Sequence, residues 1–440
     1  MAAHGAGTPV IGDGRSRAFA RMFGSAVVMQ ALLSATNLIV GLILIRRTPD
    51  DQYGYYVLIL TAILLVTTLQ NAFIQSHMVV RMTGASDQGR ADLVGGLFRD
   101  QRRMWPVVAA VASVTILVCE LAHVIDYRVV WVALAATAAV LVSLFREFFR
   151  MVLLAMRRPE DVLKADAIYA VLLIAGAVGA TFTPAPAAVA AGALAAAAFI
   201  GGVKCHASLW RIEPWNIRGA PGVLMAIAPL GAWTAAGSAI HWLFSQGYNF
   251  LVAGTLGVGA VAALSATRIL IMPVNLLSSG IGTMMLPTVS GWLQQHSVPK
   301  VFRRQLLIAG SLALGALFYF AVLWLCRDWL FRVILKKNLP QRDLLMLLWF
   351  GVGLLMLLRD QLIYMLLSRS RFRILTVLTF VSAVVSLTTS YFAMHGIFGM
   401  PGIGASGALV GVLAGELVNV TGLVLLSIEE TKKTPAFVPA

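Results

Sequence analysis

Arg268 lies ten residues into an apolar stretch that begins near Val258, about 15 Å deep at ~1.5 Å of helix rise per residue. A charged group near a bilayer centre costs about 2.5–3.5 kcal/mol on insertion scales, so each such group is a functional-site hypothesis. A guanidinium is permanently charged and carries a fork of donors, which suits it as counter-charge to a phosphate-bearing anion. The competing reading is a buried pair with Glu416, the carboxylate nearest a bilayer centre, and the two readings can coexist. Arg146 and Arg150 stand four apart and share a helix face. They either line a cavity or snorkel to the rim with Glu147 as partner. Glu416 is placed to hold a coupling proton or cation, or to neutralise Arg268. His241, about one turn from Gln246, either faces a cavity and titrates or is a hydrogen-bonded structural histidine. Asp360 beside Arg359 reads as a local pair. Gln30, Asn37 and five further amides (Gln70, Asn71, Gln75, Asn249 and Asn275) offer neutral groups for interhelical bonds or for a polar ligand. Pro229 and Pro273 each delete a backbone hydrogen bond and bend a helix, as a static kink or as a hinge. The three cysteines, Cys119, Cys205 and Cys326, show no pairing or metal spacing, so neither a metal nor a cofactor is expected, and no residue reads as catalytic.

The elements that must position these residues are membrane spans. The chain is 59% hydrophobic and 12% charged with a mean hydropathy of +0.84, whereas a soluble domain carries roughly a quarter of its residues as charges. A span needs about 20 mainly apolar residues. Twelve candidates meet this: 20–46, 54–80, 104–122, 128–155, 163–182, 186–207, 223–254, 258–290, 305–326, 342–367, 372–393 and 402–426. Thr183-Pro184-Ala185-Pro186 divides the fifth from the sixth, because one helix cannot pass both prolines intact. The net charge of +15 would suggest nucleic acid in a soluble protein. Here the basic residues sit between apolar runs, which excludes that partner. Arg and Lys concentrate on one side, from Arg15 and Arg17 to Lys432 and Lys433, so both termini are expected in the cytoplasm. The outer side holds Arg46, Arg47, Arg128 and a cluster of Arg327, Arg332, Lys336, Lys337 and Arg342. That cluster is a tolerated local excess or a basic mouth for an anion.

The chain repeats its layout weakly. The turn at Arg47–Tyr56 and the turn at Thr255–Leu264 each join two long apolar helices, about 208 residues apart. Two six-helix halves with parallel topology follow, the plan of an alternating-access transporter. The expected organisation is an all-α polytopic membrane protein of about twelve helices in two lobes around a central cavity. Its parts are a tail (1–19), a first lobe (20–218), a second lobe (219–427) and a C-terminal tail (428–440).

The segment Arg47-Thr48-Pro49-Asp50-Asp51-Gln52-Tyr53-Gly54-Tyr55-Tyr56 is similar to the turn R-x-L-G-x-x-x-Y-G-x-Y of polysaccharide (Wzx/PST-type) flippases, with Pro49 and Asp50 in place of the usual Leu-Gly. Gly254 to Arg268 resembles that family's G-x-x-L-G-x-x-x-V-G-x-Y-x-x-A-x-R, with Ala262 and Leu264 where Gly and Tyr are usual. Pro273, Leu286-Pro287 and Gly402-Ile403-Gly404-Ala405-Ser406-Gly407-Ala408 also fit. The resemblance implies the multidrug/oligosaccharidyl-lipid/polysaccharide exporter superfamily. It implies flipping of an undecaprenyl-pyrophosphate-linked oligosaccharide across a bacterial inner membrane for surface or exopolysaccharide assembly. Arg268, and with it Arg146 and Arg150, would then offset the phosphates. The implied partners are the lipid-linked oligosaccharide, membrane lipid and polysaccharide polymerase or export machinery. Lipid II flippases of the superfamily usually carry two further helices, for which there is no room. A cation-coupled exporter of small molecules on the same fold is the alternative, but it would prefer a carboxylate-lined cavity. An enzyme is not expected: the longest outer loop, from about Cys326 to Arg342, is basic and lacks a His/carboxylate constellation. No phosphate-binding Gly-rich loop occurs, so the energy would come from a gradient, the membrane potential or mass action.

Overall fold

In hydrocarbon every backbone polar group must find its partner within the protein, which leaves helices as the way for such a chain to span a bilayer. The structure, a computed structural model, describes residues 13–433 except 84, 123–125, 213–218, 220, 338, 340 and 397–400. Arg218 and most of both tails lie outside the described residues, as do the side chains of Arg15, Arg17 and Arg128. Among the described residues there is no strand, and 12 helices are long and apolar enough to cross a membrane.

In chain order they are α1 (Asp13–Arg47), α2 (Asp50–Gln75), α3 (Asp87–Leu121), α4 (Tyr127–Ala155), α5 (Pro159–Ala180), α6 (Pro186–Ile212), α7 (Val223–Leu256), α8 (258–295), α9 (Val298–Leu325), α10 (Arg342–Ser368), α11 (Phe372–His395) and α12 (Ala405–Lys433). Each matches one span expected from hydropathy. Several run further than their apolar stretches. α3 starts at Asp87 and carries Arg90, Arg99, Arg102 and Arg103 before its apolar part, because a helix continues past the bilayer edge while hydropathy stops there. α5 and α6 begin at Pro159 and Pro186, where proline's missing N–H is spared, since first-turn donors have no helical acceptor.

The helices form two lobes, α1–α6 and α7–α12, which meet differently at the two ends. At the end remote from the termini one hydrophobic core runs through both. It joins Leu44 and Ile45 of α1 and Tyr53 and Tyr56 of α2 to Val252 of α7, Val261 of α8 and Phe331 of the loop after α9. The two turns that repeat in the sequence pack on each other there. A Cβ on Gly54 would lie 2.2 Å from the Val258 carbonyl oxygen, so only glycine permits this approach. Lys337 closes the same seam, donating to the Thr48 carbonyl at 3.1 Å and pairing with Asp50 at 2.5 Å. Toward the termini the packing separates into a core around Phe148 and Phe149, made by first-lobe helices with Ile227 at the start of α7, and second-lobe cores around Met365 and Leu366. The molecule is therefore closed at one end, while toward the termini the first lobe touches α7, through α2 and α3, and parts from the cores of α8–α12.

Within the second lobe the small-residue ladder of α12 does what its spacing implies. Gly407, Gly411 and Gly415 lie against Ala393, Ser390 and Ser386 of α11, with no room for a side chain. The α9–α10 loop resolves most of its basic cluster into pairs. Arg342 binds Asp328 and lies 3.3 Å from Asp343, and Arg327 lies 3.7 Å from Asp343. The hydrogen bond from Arg342 holds the Asp328 carboxyl below its ordinary value. The pair is thus kept above the ordinary carboxylate range and is lost only as pH falls through that lowered value.

The closed seam is open to a direct check. An ideal Cβ on Gly259 would stand 2.9 Å from Asp51 Oδ1, so an Asp51→Cys/Gly259→Cys pair crosslinks on mild oxidation while either single variant does not. Absence of the crosslink in folded protein would contradict the closed end described above.

Candidate functional site: an arginine between the lobes

Four helices converge on a cavity of about 260 Å³ between the lobes, with Asn37 and Gly41 from α1, Tyr53 and Tyr56 from α2, Gln246 from α7 and Arg268 from α8 in its lining. Arg268 is the last residue of an α-helical segment, Val258–Arg268, and the ladder then tightens to a 3-10 turn at Ile269–Ile271. The cause is Pro273, which has no N–H for the Ile269 carbonyl; that oxygen accepts instead from the Met272 N–H. The neighbouring Leu270 carbonyl accepts from the Tyr319 hydroxyl of α9 at 2.9 Å. Both of these carbonyls thus find donors, directly beside the arginine.

Arg268 Nη1 donates to Gln246 Oε1 at 2.8 Å and to the Tyr248 hydroxyl at 3.1 Å. Its Cζ stands 5.6 Å from the centre of the Trp349 ring, and that ring is fixed by a 3.1 Å bond from its indole N–H to the Leu264 carbonyl. All these partners are neutral. Among the described residues no carboxylate forms an ion pair with Arg268. Glu416, the partner weighed for it from the sequence, belongs instead to Arg359. The Tyr56 hydroxyl, also buried at this cavity, has no hydrogen-bond partner among the described residues, an arrangement that a ligand or water relieves.

The other deep arginines are neutralised. Arg146 pairs with Asp166 of α5 at 2.5 Å and lies 3.9 Å over the Tyr169 ring. Arg150 reaches Asp166 at 3.2 Å and Glu147 at 3.3 Å. Asn71, in a π-helical turn of α2 (Asn71–Gln75), donates to Glu147 at 3.2 Å. Two arginines and two carboxylates sum to zero, so this network reads as a first-lobe brace. In the second lobe Arg359 donates to Glu416 at 2.6 Å and to Asp360 at 3.0 Å, and Ser278 donates to Asp360 at 2.8 Å. One arginine faces two acids there, and Glu416 Oε2 is buried without a partner among the described residues.

His241 lines a second cavity of about 1030 Å³ that opens toward the termini, bounded by α2, α7 and α10–α12. Along α7 the run from Trp233 to His241 faces this larger cavity and Gln246 faces the smaller one. Gln30 is exposed two turns from Asn37 and is not in the lining of either cavity. Pro229 lies within α7 two residues before Gly231, which packs against Phe73 of the α2 π turn. Thr234 donates to the Ala72 carbonyl of that turn at 2.7 Å.

Hydropathy starts this span at residue 163 and so leaves Asp166 at the membrane edge, whereas α5 starts at Pro159 and carries it two turns in, fully buried. The brace makes a definite prediction. Asp166→Ala leaves Arg146 without a carboxylate and Arg150 with Glu147 alone, and lowers stability by about 3–5 kcal/mol, measured as the unfolding midpoint of purified protein, while Asp161→Ala in the first turn of α5, where its ion-pair partner Lys164 is exposed, leaves it nearly unchanged.

The polysaccharide biosynthesis protein family matches the chain over residues 157–339, from the start of α5 to the loop after α9 and including Arg268 and Pro273. No curated protein matches it by sequence. Among solved structures, an inward-facing multidrug-resistance MATE transporter of the MOP superfamily superposes with a TM-score of 0.74 at 15% identity, over 92% of this chain and 96% of its own. An outward-facing structure of a MATE transporter of that superfamily gives 0.61 at 15%, over 95% and 97%. A MOP superfamily transporter from Pyrococcus furiosus, described as having a binding pocket of reversed polarity, gives 0.62 at 14%, over 95% and 96%. The chain is thus a multi-pass membrane protein with the two-lobed fold of the MOP superfamily transporters, similar through its middle to the polysaccharide biosynthesis proteins.

Proposed function

We propose that this protein flips an undecaprenyl-pyrophosphate-linked oligosaccharide across the bacterial inner membrane by alternating access, for surface or exopolysaccharide assembly. The observation that carries this reading is Arg268: a guanidinium at the inter-lobe cavity whose contacts are all neutral, in a protein that neutralises its other deep arginines. A positive charge without a fixed counter-ion in low dielectric is a standing demand for an anion. A pyrophosphate meets it, the Tyr56 hydroxyl and Asn37 suit sugar hydroxyls, and the lipid tail stays in the bilayer. On this reading both termini are cytoplasmic, the parted end loads substrate, and the lobes 20–218 and 219–427 rock about the closed seam, with Pro229 and Pro273 as bending points. The partners are the lipid-linked oligosaccharide, membrane lipid and polymerase or export machinery. Arg146 and Arg150 then support the first lobe rather than touch the phosphates. Glu416, with an excess acid and an unpartnered oxygen beside it, is the group for a coupling proton or cation, with His241 near the larger cavity.

The alternative, a cation-coupled exporter of small molecules, draws on the same acid excess in the second lobe. It accounts less well for the sign of the charge at the central cavity, which repels cationic cargo.

The test is complementation in a strain lacking its own flippase for a matched polysaccharide. Wild type restores surface polymer. Arg268→Ala lowers it by about ten- to a hundredfold, since a hydrogen bond to a charged group is worth about 1.5–3 kcal/mol. Arg268→Lys restores only part, because the charge remains and the fork is lost. Full restoration by Arg268→Ala at equal protein levels sinks the assignment of Arg268. Glu416→Gln keeps protein in the membrane but removes dependence on the ion gradient; an unchanged dependence would remove Glu416 from the coupling role.

A further inference from the structure

On the outer face of the first lobe, at the end remote from the termini, α1 and α5 leave a cleft of about 360 Å³. Ile39 and Ile43 from α1, Val178 from α5 and Phe182 from the turn after it form its walls, and Arg46 and Arg47 stand at its top. The wall residues are open outward: Ile39 is 42% exposed, Val178 41% and Phe182 81%. Both arginines are exposed too. Three of the acids at this end are committed to other cations. Asp50 pairs with Lys337, and Asp328 and Asp343 hold Arg342 and Arg327, while Asp51 lies at the Gly259 side of the seam. Among the described residues neither Arg46 nor Arg47 forms an ion pair.

From this we infer a binding site for an anionic glycerophospholipid, its phosphate on Arg46 and Arg47 and its acyl chains along the α1–α5 cleft. Three observations favour that occupant. Apolar walls beneath adjacent guanidiniums match the amphiphilic order of a phospholipid, chains in hydrocarbon and phosphate at the interface. Two cations without acid partners complement a net negative headgroup and not a zwitterionic one. The cleft is built wholly from first-lobe helices, with Asn37 and Gly41 of α1 turned to the inter-lobe cavity and Ile39 and Ile43 turned to the cleft. Its occupant is therefore a lipid of the surrounding membrane and not cargo crossing between the lobes. A bound headgroup would tie the end of α1, and with it the α1–α2 turn of the closed seam, to the leaflet remote from the termini.

Native mass spectrometry of the full-length protein, with phosphatidylglycerol and phosphatidylcholine supplied at equal concentration, tests this. Wild type retains a phosphatidylglycerol adduct at severalfold higher occupancy than phosphatidylcholine. Arg46→Gln/Arg47→Gln loses that preference, and Val178→Trp, which fills the cleft without altering charge, loses the adduct. Arg332→Gln/Lys336→Gln, removing two exposed cations from the α9–α10 loop, retains it. Equal retention of both lipids by wild type, or an undiminished phosphatidylglycerol adduct in both cleft variants, overturns the proposal. Displacement of phosphatidylglycerol by an equal concentration of undecaprenyl pyrophosphate also overturns it, by reassigning the cleft to cargo.

Discussion

An arginine cannot shed its charge in a membrane interior, so every deep arginine must be supplied with something that answers it. This constraint organises both lobes. In the first, Arg146 and Arg150 share Asp166 and take Glu147 as a further partner, tying α4 to α5 and, through Asn71, to α2. In the second, Arg359 links α10 to α12 through Glu416. Neither set leaves positive charge to spare. Arg268 differs in kind, because its answer is an amide oxygen, a phenol and an indole ring. Such groups orient a guanidinium without cancelling it.

Two of the four helices that border the cavity have interrupted ladders. α2 contains a π turn at Asn71–Gln75, and α8 a 3-10 turn at Ile269–Ile271. Each break is answered by a side chain from another helix, Thr234 at Ala72 and Tyr319 at Leu270. Irregular backbone at membrane depth is tolerated only where it is buried in protein or lines a cavity. Here it coincides with the contact between α2 and α7 and with the position of Arg268. The shared core at one end and divided cores at the other put these breaks near the boundary between what is fixed and what is parted.

The sequence disclosed the helices and their order well, since spans in hydrocarbon need long apolar runs and little else. It placed Arg268 at depth, and the repeated turns pointed to the seam where Gly54 meets Val258. Pairing was less legible. Glu416 lies on α12, and nothing in its own neighbourhood says whether it meets Arg268 on α8 or Arg359 on α10; that choice depends on how three helices pack. Asp166 was hidden for a related reason, because hydropathy reports where the bilayer is and not where a helix begins. The tyrosines at positions 56 and 248 carry no sequence mark that separates a cavity wall from a core, and both are almost fully buried.

The central claim is that an uncancelled positive charge between the lobes selects an anionic cargo. It is tested most directly by reconstituting the purified protein into liposomes with two fluorescent lipids that carry the same oligosaccharide, one through pyrophosphate and one through a neutral ether. The account predicts protein-dependent transfer between leaflets of the pyrophosphate lipid, with the neutral analogue at the protein-free rate. Equal transfer of both lipids, or transport of a cationic dye in preference to either, would contradict it.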